Sequence, residues 1–392
     1  MKKINLGLLP RLILGILAGI LIGSTGSLFH SEQNIVFITI VRSFTTFTSL
    51  FSTFLNFMIP LLILSFVSVG LAELGKKANK LFGITLLIAY LSTVGAGFLS
   101  YLLGSSLLPS LIKPIAKKTI ESATFEALFT ITVDPVFGVM TALILAFVLG
   151  LGMANTNQQN LLNCLRDLQQ IIYKVLNKVI IPLIPVHIAG LFCEIAASGK
   201  LLSTVKVFFK LFLFILIFQW IYILVQFAIA SIFRKENAFC KLKNLVPAYF
   251  TALGTQSSAS TIPVNLDCAK KNGIKSDIAD FVIPLGATIH LAGDTICLVI
   301  GSMGIMIANG MEPTLAMFTP FIFMLGVTMV AAPGVPGGGV MAALGLISSL
   351  LGFTEPMKQL IISLHFSQDS FGTACNVTGD QAIALLVDQI DN

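Results

Sequence analysis

Three aspartates, Asp294, Asp369 and Asp380, lie in stretches otherwise apolar enough to sit in lipid. A carboxylate in hydrocarbon is costly to bury, so it marks a position where something is bound. No lysine or arginine follows Lys358, which leaves Asp369 and Asp380 without a nearby cationic partner in the chain. That points to a bound cation at Asp380 and a substrate amine at Asp369. Asn376 stands four residues before Asp380, so in a helix the two share a face. Their oxygens suit an alkali or other hard ion better than a transition metal. Asp294 belongs to one of these two sites or bonds His290. His290 either carries a proton, since histidine titrates near physiological pH, or is a neutral hydrogen-bonded group within the bundle. Ser257, Ser258 and the Ser260-Thr261 pair offer further hydroxyls and backbone groups.

The elements that hold these residues are apolar runs. A span needs roughly 20 apolar residues. Six spans are expected at about 8–29, 48–74, 81–108, 125–153, 171–197 and 207–233, the fourth containing Asp134-Pro135 and the fifth bent at Pro182 and Pro185. After Lys243 the regularity ends. The stretch 246–269 is too polar at Gly254–Pro263 to cross as one helix. The stretch 315–350 is split by the Pro333–Gly339 run, whose two prolines and four glycines cannot hold an ordinary helix. Irregular backbone cannot face lipid, so both read as re-entrant hairpins meeting near the midplane. A seventh span, 277–307, is expected to break at His290–Asp294, and an eighth, 356–387, at its centre. Helix ends at such breaks present amides to anions and carbonyls to cations.

Composition supports the same solvent. Only 11% of the 392 residues are charged and 56% are hydrophobic, with a mean hydropathy of +0.93; a soluble globule carries about 25% charged residues. Met1-Lys2-Lys3 and the apolar run after it read as a retained first helix, with no convincing cleavage site. The net charge of +6 does not indicate a nucleic-acid partner, because most cations fall in short loops. Lys2 and Lys3, Lys76 to Lys80, Arg166 with Lys174, and Arg234 to Lys243 share one side, which should be cytoplasmic, as should both termini. Arg42, Lys113, Lys117, Lys118, Lys200 and Lys206 count against this bias. The six cysteines show no ligand spacing and read as small buried hydrophobes, and His30, His187, His290 and His365 suggest no metal cluster. No nucleophile with a base and no phosphate-binding lysine loop is present, so neither an enzyme nor an ATP-driven pump is expected. Asp369 and Asp380 sit in no recognisable protease motif.

Four motifs occur in order: "GTQSSASTIPVNLDCAKKNGI", "PLGATIHLAGDT", "PGVPGGGVMAALGLI" and "SQDSFGTACNVTGD". They resemble the first hairpin, seventh span, second hairpin and eighth span of the dicarboxylate/amino acid:cation symporters, and the wording is most similar to the sodium-coupled serine/threonine branch. The resemblance implies an all-α membrane protein of eight spans and two hairpins with inverted repeats, working as an elevator. It implies a homotrimer in the lipid bilayer of a bacterial-type inner membrane. Residues 1–80 and 119–200 would form the scaffold, and 81–118 and 201–392 the moving transport domain. By position, Asp369 would hold the substrate ammonium, Thr373 and Asn376 would contact the substrate, and Ser257 and Ser258 its carboxylate. Val335, Pro336 and Gly337 would close the second hairpin over it. Asn376 and Asp380, with Gly286 and His290, would bind sodium, two or more ions being implied. Tyr90, Ser92 and Thr93 resemble one side of a further ion site.

Three departures shape the expected substrate. Gly372 and Gln256 stand where acidic-substrate relatives place arginine, so a side-chain carboxylate would be buried without a bidentate partner. Where the family has Asn-Met-Asp-Gly-Thr, this chain has His290-Leu291-Ala292-Gly293-Asp294. Ala292 removes an ion-binding carboxylate, which implies fewer coupled ions or a different cation. Asp294 takes a threonine position near the substrate side chain. The expectation is sodium-coupled uptake of a small neutral amino acid. A proton-coupled carrier using His290 and Asp294, a carrier of a cationic or acidic amino acid, and a channel or non-transporting membrane receptor are the alternatives.

Overall fold

The computed structural model describes residues 8–28, 34–76, 80–114, 125–156, 158–199, 201–332 and 336–390. Fifteen helices and no strand occur among them. The first seven are α1 (Leu8–Leu28), α2 (Ile35–Lys76), α3 (Lys80–Leu111), α4 (Val139–Thr156), α5 (Gln159–Val175), α6 (Ile181–Ala197) and α7 (Leu201–Arg234). A short surface helix α8 (Ala238–Asn244) follows. Then come α9 (Val246–Thr255), α10 (Ser258–Lys271), α11 (Ser276–Ile289), α12 (Ala292–Ala308), α13 (Leu315–Val330), α14 (Gly338–Leu351) and α15 (Glu355–Ile390). Five stretches are long and apolar enough to cross a membrane: 35–73, 80–111, 159–197, 201–234 and 276–308.

Local chemistry accounts for the interruptions. A wide π-turn at Leu176–Ile180 joins α5 to α6 just before Pro182. The inserted residue relieves the clash that a proline ring makes with the preceding turn. Gln256 adopts a left-handed conformation (φ 53°) that ends α9, and the Ser257 hydroxyl caps α10 by accepting from the Ser260 N–H at 3.2 Å. His290 is extended and Leu291 is likewise non-helical, parting α11 from α12.

Two expectations need correction. The fourth span begins at Val139, not at residue 125; residues 125–138 are non-helical and mostly exposed. Pro135 disfavours helix at the residue before it, and the segment is docked on α2 instead. There the Arg42 Nε donates to the Glu126 carbonyl at 3.0 Å and the Leu128 N–H donates to Thr46 Oγ1 at 2.8 Å. The eighth span is not broken: α15 runs through Asp369, Asn376 and Asp380 as one helix of 36 residues. Its polar side chains are met by neighbouring helices, so its backbone has no reason to open.

Packing divides the helices into two groups. In the first, α1 lies along α6, and α2 lies against α4, α5 and α6. Gly15, Gly19 and Gly23 bring the α1 backbone onto the carbonyls of Pro185, Ala189 and Cys193, where a Cβ would not fit. In the second group, α12 and α15 form the centre, surrounded by α3, α7, α9, α11 and the α13–α14 pair. Every residue of α12 is buried. At one end, Arg234 pairs with Asp388 and Glu236, tying α7 to the end of α15. Burial works to raise the Glu236 carboxyl, but Lys241 and Arg234 outweigh it and hold the group below the usual range.

Candidate functional site

The centre of the second group is polar although it is buried. The tip between α9 and α10, the break before α12, the start of α14 and the middle of α15 converge on one small cavity of about 40 Å³. Ser257, Ser258, Asp294, Asp369, Thr373 and Asn376 all line it, so six residues singled out in the sequence come together. No lysine or arginine lines it among the described residues. Gln256 donates from Nε2 to Ser370 Oγ at 2.8 Å.

The start of α14 closes on Asp369. The Gly337 N–H donates to Asp369 Oδ2 at 3.2 Å. Gly337 has φ +73°, and a Cβ on it would run into the Phe366 ring. Gly337→Ala is therefore expected to cost about 1–2 kcal/mol from its left-handed backbone alone, and more from the ring. Ligand affinity should fall at least tenfold in calorimetry. Adding Phe366→Ala should recover part of that loss, because it removes the clash and leaves the backbone term. Pro336 is half-buried beside this turn and is not among the lining residues. Val335 lies outside the described residues. Gly372 does not line the cavity; it faces Gln219 and Gly293, where α15 meets α7 and α12.

Asp294 is engaged on both oxygens. Oδ1 accepts from His365 Nε2 at 2.8 Å and Oδ2 accepts from Asn376 Nδ2 at 2.6 Å. The Asn376 carbonyl in turn accepts from the Gly293 N–H at 2.7 Å, satisfying an amide left over at the start of α12. The suggested bond from Asp294 to His290 is not formed; His365 takes that place. This is the residue that sequence reasoning missed. One ligand atom each from Asp294, His365 and Asp369 lies within 4.8 Å of the others, so a scattered histidine does join an acidic group.

The second polar centre surrounds His290. Its Nδ1 lies 3.1 Å from Asp380 Oδ1, while Nε2 lies 3.0 Å from Ser92 Oγ and 3.3 Å from Gln226 Nε2. Gln226 Nε2 and the Tyr222 hydroxyl also reach Ser92. Gly286 lets Asp380 approach α11, since a Cβ there would lie 2.8 Å from Asp380 Oδ1. Asp380 Oδ2 is buried with no hydrogen-bond partner among the described residues, which fits an oxygen donor for a hard cation. Of the three α3 residues, Ser92 alone reaches His290. Thr93 bonds back to the Ala89 carbonyl at 2.9 Å and Tyr90 bonds the Phe323 carbonyl at 3.4 Å.

A larger cavity of about 520 Å³ lies between α2 and α5 on one side and α11 and the end of α13 on the other, with Glu73, Gln169 and Asp280 on its wall. Thr288 and Ala332 line both cavities.

Comparison with known proteins bears on this arrangement. The model of the sodium:dicarboxylate symporter family matches residues 8–390, virtually the whole chain. The chain belongs to this family. As a family member it is an elevator-type membrane transporter and not an enzyme. It is 26% identical over 411 aligned residues to a "Serine/threonine transporter SstT" of Acinetobacter baumannii, covering 98% of this chain and 97% of that protein. It is 24% identical over 286 residues to an "Excitatory amino acid transporter" of Caenorhabditis elegans, covering 69% of this chain and 56% of that one. It is 30% identical over 150 residues to "Neutral amino acid transporter B(0)" of Rattus norvegicus, covering 38% and 27%. The chain thus spans about half the length of the worm protein and about a quarter of the rat one, but nearly all of the bacterial transporter.

Proposed function

We propose that this symporter takes up a small neutral amino acid of the serine or threonine kind together with sodium, across a bacterial-type inner membrane. The observation that carries the reading is the single cavity shared by Ser257, Ser258, Asp369 and Thr373, with no lysine or arginine on its wall among the described residues. Asp369 offers a carboxylate to the ammonium, and the hydroxyls and backbone of the α9–α10 tip face the substrate carboxylate. A second carboxylate on the substrate would find no cation, and leaving it unpaired in a buried site costs several kcal/mol, about the worth of a broken buried ion pair. The near full-length likeness to a serine/threonine transporter supports the same substrate class.

The two packing groups support a division of labour in which residues 1–80 and 119–200 stay fixed and 81–118 and 201–392 slide. A homotrimer held by the fixed part and two or more sodium ions complete this reading, with both termini cytoplasmic by the distribution of lysine and arginine. Glu73 precedes the lysine-rich loop at 76–80, so the larger cavity would lie toward the cytoplasm, on the release side of the substrate.

Uptake of labelled serine, lysine and glutamate into vesicles, with and without sodium at fixed pH, tests the proposal. Saturable, sodium-dependent serine accumulation is expected; robust saturable glutamate uptake would defeat the charge argument. A second reading is favoured by the His290 contacts. With an imidazole nitrogen against Asp380 and the other against Ser92, the ring fills space that an ion would otherwise take, so this carrier would couple to fewer sodium ions or to protons. Serine accumulation that persists without sodium at fixed pH would select it.

A further inference from the structure

Two buried acids, Asp294 and Asp369, face the same cavity, yet their surroundings differ. Asp369 accepts one backbone N–H, from Gly337. Asp294 is held by side chains on both oxygens, by His365 and by Asn376. It is also covered, because a Cβ on Gly339 would lie 2.7 Å from its Oδ1. His365 is 1% exposed and stands one helical turn before Asp369 on α15. Its Nε2 has Asp294 as partner, while its Nδ1 has no hydrogen-bond partner among the described residues. The ring's polar contact is thus directed at a single carboxylate.

We propose that His365 is a specificity-determining residue: by donating from Nε2 to Asp294 it withdraws that carboxylate from substrate recognition. This rests on the reading that the cavity binds an amino acid, and it deepens it. With Asp294 engaged, Asp369 is the acid left to meet a cationic group, which is the α-ammonium. A side chain bearing a second ammonium finds no free carboxylate and loses its water without compensation. The pocket therefore takes an amino acid whose side chain is uncharged. Without the His365 donor, Asp294 Oδ1 is a buried, unpaired acceptor, and the ammonium of a lysine-like side chain becomes its best available partner. His365 acts through Asp294 and does not itself line the cavity.

The test is binding of L-serine and L-lysine to the purified full-length transporter in lipid nanodiscs, by calorimetry, with folding checked by thermal unfolding. His365→Leu, which keeps bulk and removes the donor, should raise the lysine-to-serine affinity ratio at least about tenfold, or about 1.4 kcal/mol. His365→Gln retains a donor of similar reach and should keep the wild-type ratio. In the double variant His365→Leu/Asp294→Asn the ratio should return toward wild type, since the exposed acid is gone. If His365→Leu does not fold, His365→Asn, whose shorter amide cannot reach Asp294, takes its place with the same expectation. A folded variant that weakens both ligands equally, or leaves the ratio unchanged while wild type binds serine, overturns this inference alone. A double variant that keeps the raised ratio also overturns it. Absence of both serine and lysine binding in wild type overturns the underlying reading with it.

Discussion

Asp369→Asn is expected to weaken amino-acid binding by about 100-fold or more, from the roughly 3–5 kcal/mol lost when one partner of a buried charge pair is removed. The change is nearly isosteric, so the α15 backbone and the approach of α14 should survive, and unfolding temperature serves as the control. The loss should be this large because the carboxylate is buried, with one backbone N–H from Gly337 as its hydrogen-bond donor. An arriving ammonium would supply the missing counter-charge in a site where water cannot screen it. The Gly337 contact adds a second consequence. Substrate that recruits Asp369 also fixes the start of α14, so the variant should lose the ligand-induced protection of residues 337–339 from hydrogen exchange. Calorimetry and exchange on the folded variant check both outcomes, and wild-type affinity in Asp369→Asn would remove the ammonium from this position.

Asp380→Asn is expected to weaken sodium-driven accumulation strongly while leaving the protein folded. Asp380 is 1% exposed, and its Oδ2 is a buried acceptor with no partner among the described residues. Asparagine keeps an oxygen toward His290 but removes the charge that compensates a cation for its lost hydration. Half-saturation by sodium should rise at least about tenfold, a loss of about 1.4 kcal/mol, measured as sodium-dependent uptake in vesicles with an imposed gradient. The two coupling readings part here. If His290 fills the position in place of an ion, the same substitution should leave the sodium midpoint near wild type and lower uptake at every sodium concentration alike.

Much of the architecture was legible because it rests on local chemistry. The polar 254–263 run turns at Gln256 and Ser257, between α9 and α10, and the Pro- and Gly-rich 333–339 run leads from α13 into α14. The break at His290 was visible in the same way. The eighth span was misread for a physical reason. Asp369, Thr373, Asn376 and Asp380 recur at steps of four, three and four, which is a polar stripe on an intact helix and not a sign of unwinding. His365 extends that stripe by one more step of four, and this spacing was the signal available for including it. Its partner Asp294 is 71 residues away, and no pattern within a segment reports a pairing at that distance. For the same reason the Asn376 amide, placed beside Asp380 by sequence, turned out to span Asp294 and Gly293 instead. In the fourth span, hydropathy alone does not separate residues 125–138 from the helix that follows; the local signal is Asp134-Pro135, since a proline disfavours helix at the residue before it.

Thr288 and Ala332 have one further implication, because they border both cavities. These two small side chains, one on α11 and one just after α13, lie where the two cavities adjoin. Displacing those groups would join the two. Exit can then be governed by steric displacement at the end of α13, which moves on the timescale of loops, while the polar chamber keeps its own bonds intact.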